Sequence, residues 1–282
     1  MQRRLDFGIS PCPNDTFIFG GLALERVPCA AGEPVFHLAD VEELNRWAAT
    51  GEPAVCKVSV AAAADLLDRY VILRAGGALG WGVGPLLVAS KPAQASLNKL
   101  CGSVAVPGMR TTATLLFCML AREKALDVTL QEMIYHQVMP VVASGECSAG
   151  LVIHEGRFVL QQHGLVALQD MGEWWEQRTG LPLPLGCIVA RRDLGNERLH
   201  ALNTAIQRSL AYADGAEDVW SYIREHAQEM DESVIKQHVR TFVTDYSRDL
   251  GTEGEEALGT LLREAVRLRG CSLHTLPWIL PA

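Results

Sequence analysis

Short apolar strands that run straight into polar helix starts recur through the first half of this 282-residue chain, and that alternation constrains the fold more than any other feature. Leu5 to Ile9 leads into Ser10-Pro11-Cys12-Pro13-Asn14-Asp15-Thr16-Phe17, Ala54 to Val58 into Ser59, and Ser103 to Val106 into Pro107-Gly108-Met109-Arg110-Thr111-Thr112. Repeated strand-helix units build a sheet with parallel strands covered by helices. Ligands of such sheets bind at the carboxyl ends of the strands, where helix N-termini present unpaired N–H groups. In the first unit the two prolines fix φ and remove backbone donors, so the strand stops there. Asn14, Asp15 and Thr16 then read as N-cap and first-turn residues of a buried helix.

Further along, Val35 to Leu38 reads as a strand, and Asp40 caps a helix in which Val41, Leu44, Trp47 and Ala48 recur at helical spacing up to Gly51. Lys57 stands near the end of an otherwise apolar strand. Its ammonium either snorkels to the surface or points at a ligand beside the Ser59 hydroxyl, and Ser59 caps a small-residue helix, Val60 to Asp68. The window Ala75 to Pro85 holds five glycines and is expected to be a loop, with Trp81 anchoring it to the core more readily than stacking on an aromatic ligand. Glu132 to Tyr135 is expected as a strand and Val138 to Ser144 as a helix. Ala149 to Ile153 is an apolar strand that delivers His154 at its carboxyl end, and an imidazole there suits a general base as well as it suits packing. His37, His163, His200, His226 and His238 are less promising, and none has metal-ligand spacing to a partner.

Pro85 to Ser90 and Leu181 to Ala190 read as strands crossing between lobes, with Trp174 and Trp175 in a short polar segment before the second. Four helical segments follow: Arg198 to Ala213, Ala216 to His226, Glu232 to Thr241 and Glu253 to Arg269. This order predicts an α/β chain of two lobes, residues 1–88 with 194–282 and residues 89–193, in a two-lobed type II periplasmic-binding-protein-like fold with a ligand cleft between the lobes. The fold by itself does not choose between a binding protein and an enzyme.

Charge and composition narrow the partners. The net charge is -8, from 25 basic and 33 acidic residues, and the basic ones do not cluster, which argues against nucleic acid. A small anionic molecule fits better, since local donors at helix starts outweigh a distant net charge. No apolar run has transmembrane length and no secretory pattern opens the chain, so a cytoplasmic protein without membrane association is expected. The eight cysteines are scattered without a Cys-x-x-Cys pair, which predicts mostly buried reduced thiols. Oligomeric state is not legible.

Four segments in order resemble 1,4-dihydroxy-6-naphthoate synthase of the futalosine route to menaquinone: Ser10-Pro11-Cys12-Pro13-Asn14-Asp15-Thr16-Phe17, Lys57-Val58-Ser59, Pro107-Gly108-Met109-Arg110-Thr111-Thr112 and Ile153-His154-Glu155-Gly156-Arg157-Phe158. The first is the distinctive one. The resemblance implies a lyase that splits cyclic dehypoxanthinylfutalosine into 1,4-dihydroxy-6-naphthoate and dihydroxyacetone without metal or organic cofactor. It also implies that His154 is the proton acceptor and that Lys57, Val58, Ser59, Thr111 and Thr112 bind substrate. Asn14 and Thr16 of the opening turn are candidates for shaping and binding. A chorismate dehydratase-like enzyme of the same pathway and a non-catalytic small-molecule binding protein are the alternatives.

Overall fold

The computed structural model describes residues 4–90, 96–154, 156–227, 231–270, 275 and 277–282. Glu155 and Cys271, with parts of the Lys91 to Leu100 segment and of the tail from Leu276, lie outside the described residues. The chain divides into two compact units, Met1–Gly80 with Pro184–Ala282 and Trp81–Leu183.

The first unit opens with β1 (Arg4–Ile9), α1 (Pro13–Ala23), β2 (Glu33–Leu38), α2 (Val41–Thr50), β3 (Val55–Ser59), α3 (Val60–Ala63), β4 (Tyr70–Ile72) and β5 (Ala78–Gly80). The second unit contains β6 (Leu86–Ser90), β7 (Cys101–Val106), α4 (Thr112–Lys124), β8 (Asp127–Glu132), α5 (Tyr135–Ser144), β9 (Ala149–Val152), α6 (Gly156–Val159), β10 (Leu165–Asp170) and α7 (Met171–Thr179). The chain then returns through β11 (Leu183–Arg191) to α8 (Asn196–Ala213), α9 (Glu217–His226), α10 (Glu232–Phe242), α11 (Asp245–Arg248) and α12 (Gly251–Arg269).

Among the described residues, the first unit's sheet runs β2-β1-β3-β11-β4, with β5 paired to β11. β1 lies parallel to β2 and β3, whereas β11 is antiparallel to β3 and β4. β3 sits in the middle of this sheet, and all five of its residues are buried. That is why its sequence is a nearly continuous apolar run instead of an alternating one. α1 is apolar on every side because it is buried on every side, between the sheet and α8, α9 and α10. Phe17, Ile18, Phe19 and Leu22 of α1 join Phe7, Ile9, Ile206, Leu210, Val219 and Ile223 in one core. At roughly 1.5–3 kcal/mol per fully buried large side chain, this packing fixes the turn that precedes the helix.

The second unit's sheet runs β10-β6-β9-β7-β8 among the described residues, with β7 parallel to β8 and β9 and with β6 antiparallel to β9 and β10. Leu86, Val88, Ala105, Val138, Val142, Val152 and Leu160 form its core under α5.

Several local expectations change. α1 begins at Pro13 with Cys12 as its N-cap, because proline tolerates the first helical position, where the N–H has no partner anyway. Asn14, Asp15 and Thr16 therefore lie within its first turn. Tyr135 starts a helix instead of ending a strand; the strand is Asp127–Glu132. The small-residue helix after Ser59 stops at Ala63, and Trp174 and Trp175 lie inside α7.

The glycine-rich window is not all loop, since Ala78–Gly80 pairs with β11. Trp81 does not anchor the window, because it is 50% exposed. The segment is held through its backbone instead: Arg157 Nη1 donates to the Gly82 and Gly84 carbonyls at 2.9 and 3.0 Å, and Gly82 N donates to Glu176 Oε1 at 2.6 Å. Gly84 is required by contact, since a Cβ there would stand 2.0 Å from the Gly172 nitrogen.

Candidate active site

In the first unit the chemistry gathers around Lys57. A buried strand that carries an ammonium must supply a counter-charge. Asp15, in the first turn of α1, provides it: Lys57 Nζ lies 2.6 Å from Asp15 Oδ1, and the two residues are 6% and 2% exposed. Neither snorkelling nor an open ammonium describes this lysine. Gly186 on β11 makes room for its stem, since a Cβ there would lie 3.0 Å from Lys57 Cε. The ammonium also donates to the Gly76 carbonyl, at 3.4 Å.

Asp15 is also the organiser of the opening turn. Its Oδ2 accepts from Ser10 N at 3.2 Å and Ser10 Oγ at 2.7 Å, and its Oδ1 accepts from Asn14 Nδ2 at 3.0 Å. An acidic residue in the first turn that reaches back to an upstream amide is the logic of a capping box, applied here across two prolines. The Asn14 amide nitrogen faces Asp15, so its oxygen must face His238, whose Nε2 lies 2.9 Å away and donates. His238, from α10, is wholly buried. Thr16 is also wholly buried, and its hydroxyl turns back to the Cys12 carbonyl at 3.0 Å.

Ser59 occupies the N-cap position of α3 but makes no capping bond with its side chain. Asn45 of α2 has taken both of its polar groups: Asn45 Nδ2 donates to Ser59 Oγ at 3.2 Å, and Ser59 N donates to Asn45 Oδ1 at 2.9 Å. The neighbouring thiols are chemically quiet. Burial pushes Cys187 up to about 12 in spite of the opposing pull of Lys57, and it pushes Cys56 up as well, with the Asp15 charge adding to the effect.

In the second unit, Thr111 is the N-cap of α4. Its Oγ1 accepts from Thr114 N at 3.2 Å, and the Thr111 and Thr114 hydroxyls both reach the Gly108 carbonyl, at 2.8 and 2.7 Å. Thr112 begins the helix and is buried. His154 follows β9 by two residues with φ +51°, a left-handed conformation that non-glycine residues seldom adopt. Its ring meets the edge of Tyr135 with centroids 5.4 Å apart and planes at 70°.

Asn14, Thr16, Lys57, Val58 and Ser59 thus cluster around the opening turn and β3 of one unit, while Thr111, Thr112 and His154 lie at the carboxyl ends of β7 and β9 of the other. The sequence reading took Asp15 only for a first-turn residue and set His238 aside as less promising, and Asn45 escaped it. A lysine in a doubly buried strand was the available signal for Asp15, and nothing local marks His238. Among the described residues no group of His, Cys, Asp and Glu side chains is arranged to hold a metal ion, no helix is long and apolar enough to cross a membrane, and Cys101 is an exposed thiol, unlike the buried ones expected.

Residues 5–267 match the family model for menaquinone biosynthesis. The chain belongs to that family. It is 52% identical over 263 residues to the 1,4-dihydroxy-6-naphtoate synthase of Thermus thermophilus, covering 93% of each chain, and 45% identical over 264 residues to the enzyme of that name from Streptomyces coelicolor, covering 93% of this chain and 92% of that one. A protein of solved structure from Archaeoglobus fulgidus superposes with a TM-score of 0.85 at 32% identity, covering 95% of this chain and 98% of that one. The periplasmic aliphatic sulphonate binding protein of Escherichia coli superposes with a TM-score of 0.66 at 11% identity, covering 96% and 89%. The menaquinone-family chain therefore has a periplasmic-binding-protein-like α/β fold.

Proposed function

We propose that this chain is a carbon–carbon lyase that converts cyclic dehypoxanthinylfutalosine into 1,4-dihydroxy-6-naphthoate and dihydroxyacetone in menaquinone biosynthesis, with His154 as the general base. The observation that carries this reading is the 52% identity, over 93% of the chain, to a protein named for that product. Opening the cyclic sugar-derived part of such a substrate needs a proton removed, and the carbon–carbon cleavage that follows is driven by formation of the aromatic dihydroxynaphthoate. His154 follows the buried strand β9 by two residues, at the end of an α/β strand from which ligand-facing groups project.

The residues assigned to the anionic substrate are Thr111 and Thr112 at the start of α4 and the segment Lys57, Val58 and Ser59. Lys57 contributes through its pair with Asp15, which holds the opening turn. Asn14 and Thr16 shape that turn from within. The reaction proceeds in the cytoplasm and uses no metal or organic cofactor.

Purified protein incubated with cyclic dehypoxanthinylfutalosine is expected to release both products. His154→Asn should lower kcat by about 10²- to 10⁴-fold, the range of a positioned base, while substrate binding stays measurable by calorimetry. Undiminished turnover by His154→Asn refutes the base assignment. A wild-type protein that binds this substrate and never turns it over refutes the lyase reading in favour of a binding protein.

A further inference from the structure

We propose that Tyr135 is the positioning residue for His154, an inference that rests on His154 being the base. His154 sits at φ +51°, and a strained conformer persists only where its surroundings over-determine it. Tyr135 supplies that determination from both sides. Its hydroxyl donates to the Ile153 carbonyl at 2.9 Å and accepts from the Gly156 amide at 3.0 Å, so one oxygen bridges the backbone before and after the histidine. Its ring meets the imidazole in a T-shaped pair with centroids 5.4 Å apart. Gly156 completes the arrangement, because a Cβ at that position would stand 2.5 Å from the Tyr135 hydroxyl and 2.6 Å from Val152 Cγ1. Tyr135 is itself buried at the start of α5, the helix whose Val138 and Val142 belong to the core of the second unit, so the histidine's surroundings are tied to that core through one helix.

A residue of this kind acts on the orientation of the base and leaves substrate affinity alone. Misplacing a reacting group by about 1 Å can lower a rate by about 10²-fold. Tyr135→Phe keeps the ring and removes both hydrogen bonds, and it is expected to lower kcat by about 10- to 100-fold with KM within about 3-fold of wild type. On a His154→Asn background, where no base remains to orient, the same change is expected to leave the residual rate unaltered. In wild-type protein with labelled histidines, the imidazole signal that disappears in His154→Asn should show cross-relaxation to the Tyr135 ring protons, a measurement that needs no folded Tyr135 variant.

Three outcomes overturn the proposal: Tyr135→Phe with wild-type kcat while His154→Asn is crippled, an equal further loss on the His154→Asn background, or no cross-relaxation between the two rings. Full activity of His154→Asn refutes the base assignment instead, so the two failures are distinguishable.

Discussion

Removing the charge of Asp15 should damage the protein more than removing that of Lys57, and the double variant should recover part of the loss. The asymmetry follows from the partners each group keeps. Without Lys57, the Asp15 carboxylate still accepts from Ser10 N, Ser10 Oγ and Asn14 Nδ2. Without the Asp15 charge, the Lys57 ammonium, 6% exposed, is left among the described residues with neutral acceptors alone, the Gly76 carbonyl at 3.4 Å and the new amide oxygen. Breaking a buried ion pair from one side costs about 3–5 kcal/mol, whereas replacing both partners by neutral groups of similar volume is often close to neutral. Asp15→Asn is therefore expected at about 5 kcal/mol and Lys57→Met at about 3 kcal/mol. The double variant is expected to be less destabilised than Asp15→Asn alone, with a coupling of at least about 2 kcal/mol. Urea unfolding followed by circular dichroism at pH 7 measures all three as midpoint shifts at constant m-value. Additive losses, or a Lys57→Met variant less stable than Asp15→Asn, would refute the reasoning. A Lys57→Met variant of unchanged stability and raised KM would show that the ammonium serves the ligand and not Asp15.

Gly84→Ala is expected to destabilise the second unit by about 1–3 kcal/mol, since the added Cβ would meet backbone at 2.0 and 2.3 Å and backbone cannot swing aside; a melting curve superposable on wild type would contradict that packing. With an aromatic disulfide reagent at pH 8, Cys101 should react fast, and Cys56 and Cys187, whose thiols burial has pushed upward, only after denaturant is added; peptide mapping of the labelled native protein checks this. The bidentate Arg74 guanidinium holds the Asp249 carboxyl below its ordinary value of 3.8, so the pair's contribution is present above that value and is lost as pH falls through the lower, folded one. Asp249→Asn should accordingly lower the urea midpoint at pH 7, by under about 1 kcal/mol because Asp249 is 44% exposed, and the difference should vanish at acid pH.

The alternation of strands and helices, the interior of β3 and the four longer terminal helices were legible because each depends on residues close together in the chain, whereas the single-turn α11 was not. The helix start at Thr111 and the place of His154 after β9 were legible for the same reason. The supporting contacts were not, since they join residues far apart: Asp15 to Lys57 across 42 positions and Asn14 to His238 across 224. Tyr135 was misread as a strand end, because Glu132, Met133, Ile134 and Tyr135 suit a strand as well as a helix entry, and only the sheet register, in which Glu132 is the last residue paired to β7, separates the two. Ser59 was read as a cap because serine caps helices in general, and its actual partner, Asn45, lies on a different helix.

One of these long-range pairings was nevertheless within reach of charge balance. β3 reads as buried on both faces, so its lysine must be neutralised by an acid brought in from a neighbouring element, and β1 is a neighbour in any parallel arrangement of the first two strand-helix units. The helix after β1 begins within reach of Lys57, the middle residue of β3, and its first turn carries a single acid, Asp15. The same requirement explains why the opening turn is so distinctive in composition. It must terminate a strand, start a helix and present one carboxylate to a buried ammonium: the two prolines serve the first two demands, and Asp15, held by Ser10 and Asn14, meets the third.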